Sequence, residues 1–318
     1  EFAGFEQFPN LIALPNLARI DSGAFYRQGL AVGLKLEKKL GHNPYKYGAV
    51  AGGDVHSGYQ GNEEWNWKGA HGAQDDTPQK RLDPKPNATG VNGYTVSSAG
   101  ATAVWAEENT RAGIFEGIKS KETYGTSGPL IRLRFFGGWG YSPKLTRDSN
   151  FVKQAYEGGV PMGGDLAKKP ANAKAPTFAV WALKDPESGN LDRIQVIKVW
   201  ADPKTGYPVE KIYDVVWSDE DKRQIDRTSG KLPPVGNTVD VKNGDLQQQL
   251  HRRFTASHRM DGPGFRPNQL GRLLCTRAGD PDATLVDLRR CQARRRTAEG
   301  HSSNHSGTCL VIADLVYA

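Results

Sequence analysis

Apolar positions follow a helical period in the first part of the chain and a period of two beyond residue 127. Leu30, Leu34, Leu36 and Leu40 recur at helical spacing, which predicts a helix over 22–41 with Ser22 as its cap. Gly41 is a natural stop, and Pro44 lies beyond it. The run Tyr47, Ala49, Val50, Ala51 reads as a strand ending at Gly52 and Gly53. Thr102 to Trp105 gives a second short strand, and Thr110 or Asn109 caps a helix whose Ile114, Phe115 and Ile118 face inward. Gly125 and Gly128 punctuate the exit. After that come four period-two runs, "LIRLRFFGG", "TFAVWALKD", "RIQVIKVWAD" and "KIYDVVWSD", separated by Pro, Gly, Asp and Asn turns. This is the pattern of an antiparallel sandwich.

Between these regions, residues 57–93 have little periodicity, and a stretch of that length inside a domain is functional or disordered. Its dense first part carries Glu63, Glu64, Trp65, Trp67, Lys68 and His71, which predicts an ordered loop beside a site. Residues 80–93 read as its flexible far end. Just ahead of the loop stand Asp54 and His56, which share one side of an extended chain because side chains alternate. A carboxylate and an imidazole at the C-terminal end of an α/β-barrel strand suit divalent metal ligation. The same three residues also suit a turn with a capping Asp and an exposed His.

Composition adds a boundary. The net charge of the 318 residues is +7, but its distribution is uneven. Residues 1–243 hold 21 Lys and 10 Arg, whereas residues 244–318 hold 11 Arg and no Lys. The tail also holds Cys275, Cys291 and Cys309 and four of the seven histidines. It lacks the lysines and interleaved aromatics of a nucleic-acid arm, so no nucleic-acid partner is expected. The cysteines lie 16 and 18 residues apart without a C-x-x-C pair, which argues against a disulfide framework and against zinc. No run of 18 apolar residues occurs, so no membrane span is expected. The start at Glu1 reads as a truncation or processing point and leaves targeting open, with a lean towards a periplasmic or secreted protein.

The stretches "YRQGLAVGLKLEKKLGHNPYKYGAVAGGDVHSG", "SSAGATAVWAEENTRAGIFEGIKSKETYGTSGPLIRLRFFGGW" and "LPPVGNTVD" resemble the bacterial domain-of-unknown-function family 3604 over about residues 1–243. The N-terminal half of that family resembles the PHP superfamily of metal-dependent phosphoesterases. The resemblance implies a distorted α/β barrel whose metal ions are held by His-x-His, Glu, His and Asp-x-His motifs. Asp54 and His56 match the last of these and are implied ligands of Zn, Mn or Fe. A metal cluster of that kind activates water and polarises a phosphoryl oxygen, so a small phosphoester or another hydrolysable substrate is implied. Glu63, Glu64, Lys68 and His71 would line the substrate side or support the ligands.

The fold expected is therefore α/β plus all-β: residues 1–126 as the C-terminal part of a PHP-like barrel, 127–243 as a β-sandwich and 244–318 as an irregular tail. No His-x-His pair occurs anywhere in the sequence, and the upstream Glu and His ligands have no counterpart. The chain is expected to be a hydrolase fragment that is inactive by itself and does not hold the metal. The alternative is a non-catalytic sandwich that binds a glycan or a protein through an aromatic row drawn from Trp181, Trp200, Trp217, Tyr207 and Tyr213. The tail reads as a frameshifted translation. Its residues then have no reason to alternate, and it is expected to leave the sheets incomplete, with 291–307 disordered and the protein prone to aggregate.

Overall fold

A computed structural model describes residues 26–52, 56, 77–81, 83, 85, 100–127, 129–173, 175–186, 191–234, 255–261, 271–279 and 313–317. Helix α1 (Tyr26–Leu40) is the predicted first helix, and Gly41 ends it by donating its N–H to the Glu37 carbonyl at 2.8 Å. A single helical turn, α2, covers Pro78–Arg81 and overlaps the start of the 80–93 stretch read as the loop's flexible end. Strand β1 (Gly100–Val104), helix α3 (Arg111–Lys119) and strand β2 (Thr123–Ser127) form a hairpin module. Thr110 caps α3, its hydroxyl accepting from the Gly113 N–H at 3.1 Å.

The four period-two runs are strands. They correspond to β3 (Arg132–Gly138), β6 (Thr177–Leu183), β7 (Leu191–Ala201) and β8 (Pro208–Trp217). Between β3 and β6 lie a 3-10 turn (Leu145–Arg147), helix α4 (Phe151–Glu157) and two short strands, β4 (Gly159–Pro161) and β5 (Asp165–Leu166). Three further strands come from the tail: β9 (Thr255–Asp261), β10 (Gly271–Gly279) and β11 (Ala313–Tyr317). One sheet has the order β4-β3-β6-β9 and the other β5-β11-β10-β7-β8, antiparallel throughout except for the parallel β5–β11 pair.

The two sheets share a core. Leu133 and Phe135 of β3, Phe178, Val180 and Ala182 of β6, Ile194 and Val196 of β7 and Val216 of β8 lie in one buried cluster. The opposite face of β7 is also covered, because Ile197 and Val199 pack on Leu30, Ala31 and Leu34 of α1. The opposite faces of β3 and β6 meet α4 and the 3-10 turn through Phe136, Ala179, Leu145, Phe151 and Ala155. Strands covered on both faces read as near-continuous apolar runs, which is why "TFAVWAL" hardly alternates.

Four expectations are corrected here. Among the described residues no closed barrel forms, and α1 lies on the five-stranded sheet instead of a barrel wall. Residues 46–52 belong to no strand. Helix α3 does not turn Phe115 and Ile118 inward, and these side chains are 60% and 48% exposed. The face it packs is Gly117, where a Cβ would lie 2.5 Å from the Trp105 carbonyl oxygen and 2.7 Å from Val104. Only a bare backbone fits that approach. Lastly, the tail does complete the sheets at three segments: β9 pairs with β6, and β10 with both β7 and β11. Ladder bonds use the main-chain N–H and C=O that every non-proline residue carries, so pairing does not require the alternation the tail lacks. The stretch 291–307 lies outside the described residues.

Candidate functional site

The segment leading to Asp54-x-His56 is held at several points. Tyr45 donates its N–H to the Asn43 side chain at 2.8 Å just past α1, and the Tyr26 and Tyr47 rings meet edge to face with centroids 5.5 Å apart. Lys46 pairs with Asp165 of β5 at 3.0 Å, and Lys121 reaches the Lys46 carbonyl at 3.4 Å. The strongest tie is at Ala51. Its N–H donates to the Thr102 hydroxyl at 2.9 Å, and the same hydroxyl donates to the Ala51 carbonyl at 2.8 Å. One side chain thus takes the place of a strand ladder.

The hairpin's geometry permits this closeness. A Cβ on Gly125 of β2 would stand 2.7 Å from the Ala51 Cβ, inside any real contact distance. Glycine there lets the chain lie against the hairpin three residues before Asp54.

At its other end the hairpin is joined to the four-stranded sheet. The Trp105 indole N–H donates to the Leu133 carbonyl at 2.8 Å, and the Arg134 guanidinium stacks on the Trp105 ring at 3.3 Å. Arg134 donates to the Tyr156 hydroxyl at 3.1 Å, and that hydroxyl donates to the Glu122 carboxylate at 2.5 Å. Burial pulls the Arg134 guanidinium down from its ordinary value. Burial, and then the Glu122 carboxylate, push the Tyr156 hydroxyl up to about 12.

His56 is exposed at a turn. Asp54, Glu63, Glu64, Lys68 and His71 lie outside the described residues, as do Trp65 and Trp67. Among the described residues no group of three or more His, Cys, Asp or Glu side chains gathers as a metal site would require. Of the five aromatics considered for a binding row, Trp181, Trp200, Trp217 and Tyr213 are half-buried, and Tyr207 is 63% exposed beneath the Lys35 ammonium. The contact of Thr102 with Ala51 could not be read from the sequence, because a lone Thr in a strand carries no signal of what its hydroxyl meets.

Residues 1–270 match the family described as a protein of unknown function, DUF3604. The chain belongs to the DUF3604 family. The match runs past residue 243, where the resemblance was expected to end, takes in β9 and stops one residue before β10. No curated protein and no solved structure matches the chain. Among the described residues of this DUF3604 member, no helix is long and apolar enough to cross a membrane.

Proposed function

We propose that this chain carries part of a metal-dependent phosphoester hydrolase, with Asp54 and His56 as two ligands of a divalent ion and the paired sheets as a β-sandwich beside them. The reading is supported by the exposed turn position of His56, directly after a segment fixed to the hairpin at Ala51, in a DUF3604 chain. Carboxylate and neutral imidazole are donors that Zn, Mn and Fe all accept. Two donors fall short of the four that even a tetrahedral site uses. In this reading the 318 residues hold the ion only together with ligands from outside them, and no hydrolytic step belongs to this chain alone.

When bound, such an ion supplies an activated water and polarises the phosphoryl oxygen. The chain's own part is to supply Asp54 and His56 as ligands, with Lys68 available to a phosphate charge and Glu63, Glu64 and His71 to orient ligands or substrate. The test is made in the complete gene product with p-nitrophenyl phosphate. Asp54→Ala and His56→Ala should each remove bound metal and hydrolysis together, while the 318-residue chain should show no turnover. Hydrolysis retained without bound metal would reject the assignment.

A further inference from the structure

We infer that the last turns of α1 and the turn joining β7 to β8 form a docking surface for an acidic polysaccharide, independently of the metal reading. Helical spacing puts Lys35, Lys38 and Lys39 on one stripe of α1, and all three are exposed. The stripe lies against the 202–207 turn. Lys38 donates to the Pro203 carbonyl at 3.2 Å, and the Lys35 ammonium sits 4.3 Å from the centre of the Tyr207 ring. Lys204, also exposed, adds a fourth cation within the turn. Among the described residues no carboxylate forms a salt bridge with any of the four. The neighbouring acids are already engaged or half-buried. Glu210 pairs with Arg27 at 2.7 Å, and one Glu37 carboxylate oxygen is buried. Asp202 faces Lys204 but accepts from the Lys204 N–H, the Thr205 N–H and the Thr205 hydroxyl at 2.9, 2.7 and 3.0 Å.

The same turn fixes Tyr207. Asp202 donates its N–H to the Tyr207 carbonyl at 2.8 Å, and Gly206, at φ +71°, donates to the Asp202 carbonyl at 2.8 Å. A ring held on so tight a turn yet 63% exposed gives up most of the burial an aromatic side chain can gain. Its chemistry suits a sugar, whose apolar C–H face packs on an aromatic face. The ammoniums around it then meet carboxylates or sulfates spaced along the polymer. Nucleic acid is the less favoured partner, because phosphate recognition draws on the guanidinium fork and Arg27 beside this surface is held by Glu210.

The test is calorimetric titration of the 318-residue chain with polygalacturonate and with chondroitin sulfate. Binding to at least one is expected, weakening as salt rises, with none to fully methyl-esterified polygalacturonate. Tyr207→Ala should weaken it roughly 2- to 10-fold, and Tyr207→Phe should leave it near wild type. Lys35→Gln, Lys39→Gln and Lys204→Gln combined should weaken it roughly 10-fold or more. All of these side chains are exposed, so thermal melts of the variants should match wild type. The control removes three exposed cations on α4 and the 3-10 turn and its cap, over the other sheet, with Lys144→Gln, Arg147→Gln and Lys153→Gln combined. It should bind as wild type. The inference is overturned by binding to neither polymer, by equal weakening in the control, by equal binding of the methyl ester, or by tighter binding of a short DNA duplex.

Discussion

Arg223 reaches back from the loop after β8 to pair with Asp192 of β7 at 2.7 Å, with both side chains buried. The same Asp192 receives Arg193 at 2.9 Å, and Arg193 lies 3.6 Å from Asp214 of β8. Arg223 also donates to the Pro233 carbonyl at 2.7 Å and to the Ser218 hydroxyl at 3.1 Å. The guanidinium thus ties three parts of the chain, the start of β7 and both ends of the 218–233 loop. Buried charges are tolerated where each is paired, as here, and the Asp192–Arg223 contact is an ion pair in which Asp192 Oδ1 takes no hydrogen bond of its own.

Arg223→Ala should therefore destabilise the fold by about 3–5 kcal/mol, because it leaves the Asp192 carboxylate buried beside a single remaining guanidinium. Urea unfolding measures it. Removing both charges with Arg223→Met and Asp192→Asn together should cost less than the two single changes added up, since neither partner is then stranded.

Leu34→Ala tests the layer between α1 and β7. Leu34 is fully buried against Ile197 and Val199, so truncation should cost about 2–5 kcal/mol. Leu40 lies on the same predicted stripe but is half exposed, and Leu40→Ala should change stability by less than about 0.5 kcal/mol. Equal effects at the two positions would contradict the placement of α1.

This contrast shows how far the sequence could be read. Helical spacing located α1 and its stop at Gly41, but a stripe of leucines does not say which sheet will cover it or where the cover ends. Period-two runs located β3, β6, β7 and β8 within a few residues. The tail strands stayed hidden because "TASHRMD" carries no apolar alternation, and its pairing with β6 uses main-chain groups. For α3 the apolar residues misled: Gly117 chose the packed face by closeness of approach, and Phe115 was left outside. The Asp-x-His pair was legible as a motif, whereas the contact that leads to it, between Ala51 and Thr102, joins residues far apart in sequence and required the fold.

Two hairpin-like turns share one design that was latent in the sequences "DPKTG" and "DRTSG". Asp202 accepts from the Thr205 N–H at 2.7 Å and the Thr205 hydroxyl at 3.0 Å, and Asp226 accepts from the Ser229 N–H at 2.6 Å and the Ser229 hydroxyl at 2.7 Å. These bonds favour the ionised form and hold both carboxyls below the ordinary value of 3.8, the main-chain N–H being the larger cause in each. A depressed folded pKa contributes stability above the unfolded value that is lost as pH falls through the folded one. Asp226→Asn should therefore flatten the acid side of the stability profile below pH 3.8, read by thermal melts, and Asp202→Asn should do the same. A profile unchanged in both would reject the turn assignment.

The alkaline side tests the hairpin's link to the sheet. Tyr156 is pushed up to about 12 from 10.0, by burial first and then by its bond to Glu122, whose carboxylate would face a phenolate of like charge. Arg134 opposes this shift but does not cancel it. A raised folded pKa means that the stabilisation is complete below the unfolded value of 10.0 and is lost as pH rises through the folded value. Stability should accordingly fall between pH 10 and about 12. Tyr156→Phe keeps the ring against Phe136, 5.1 Å away, but removes the titrating group, so it should lose stability at neutral pH and show a shallower fall in that window. Tyr124, Tyr141 and Tyr213 are raised by burial as well, so the informative quantity is the difference in slope between wild type and Tyr156→Phe. Chemical unfolding at pH 8, 10 and 11.5 gives that slope, and identical slopes in the two proteins would show that the Tyr156 hydroxyl does not hold Glu122 in solution.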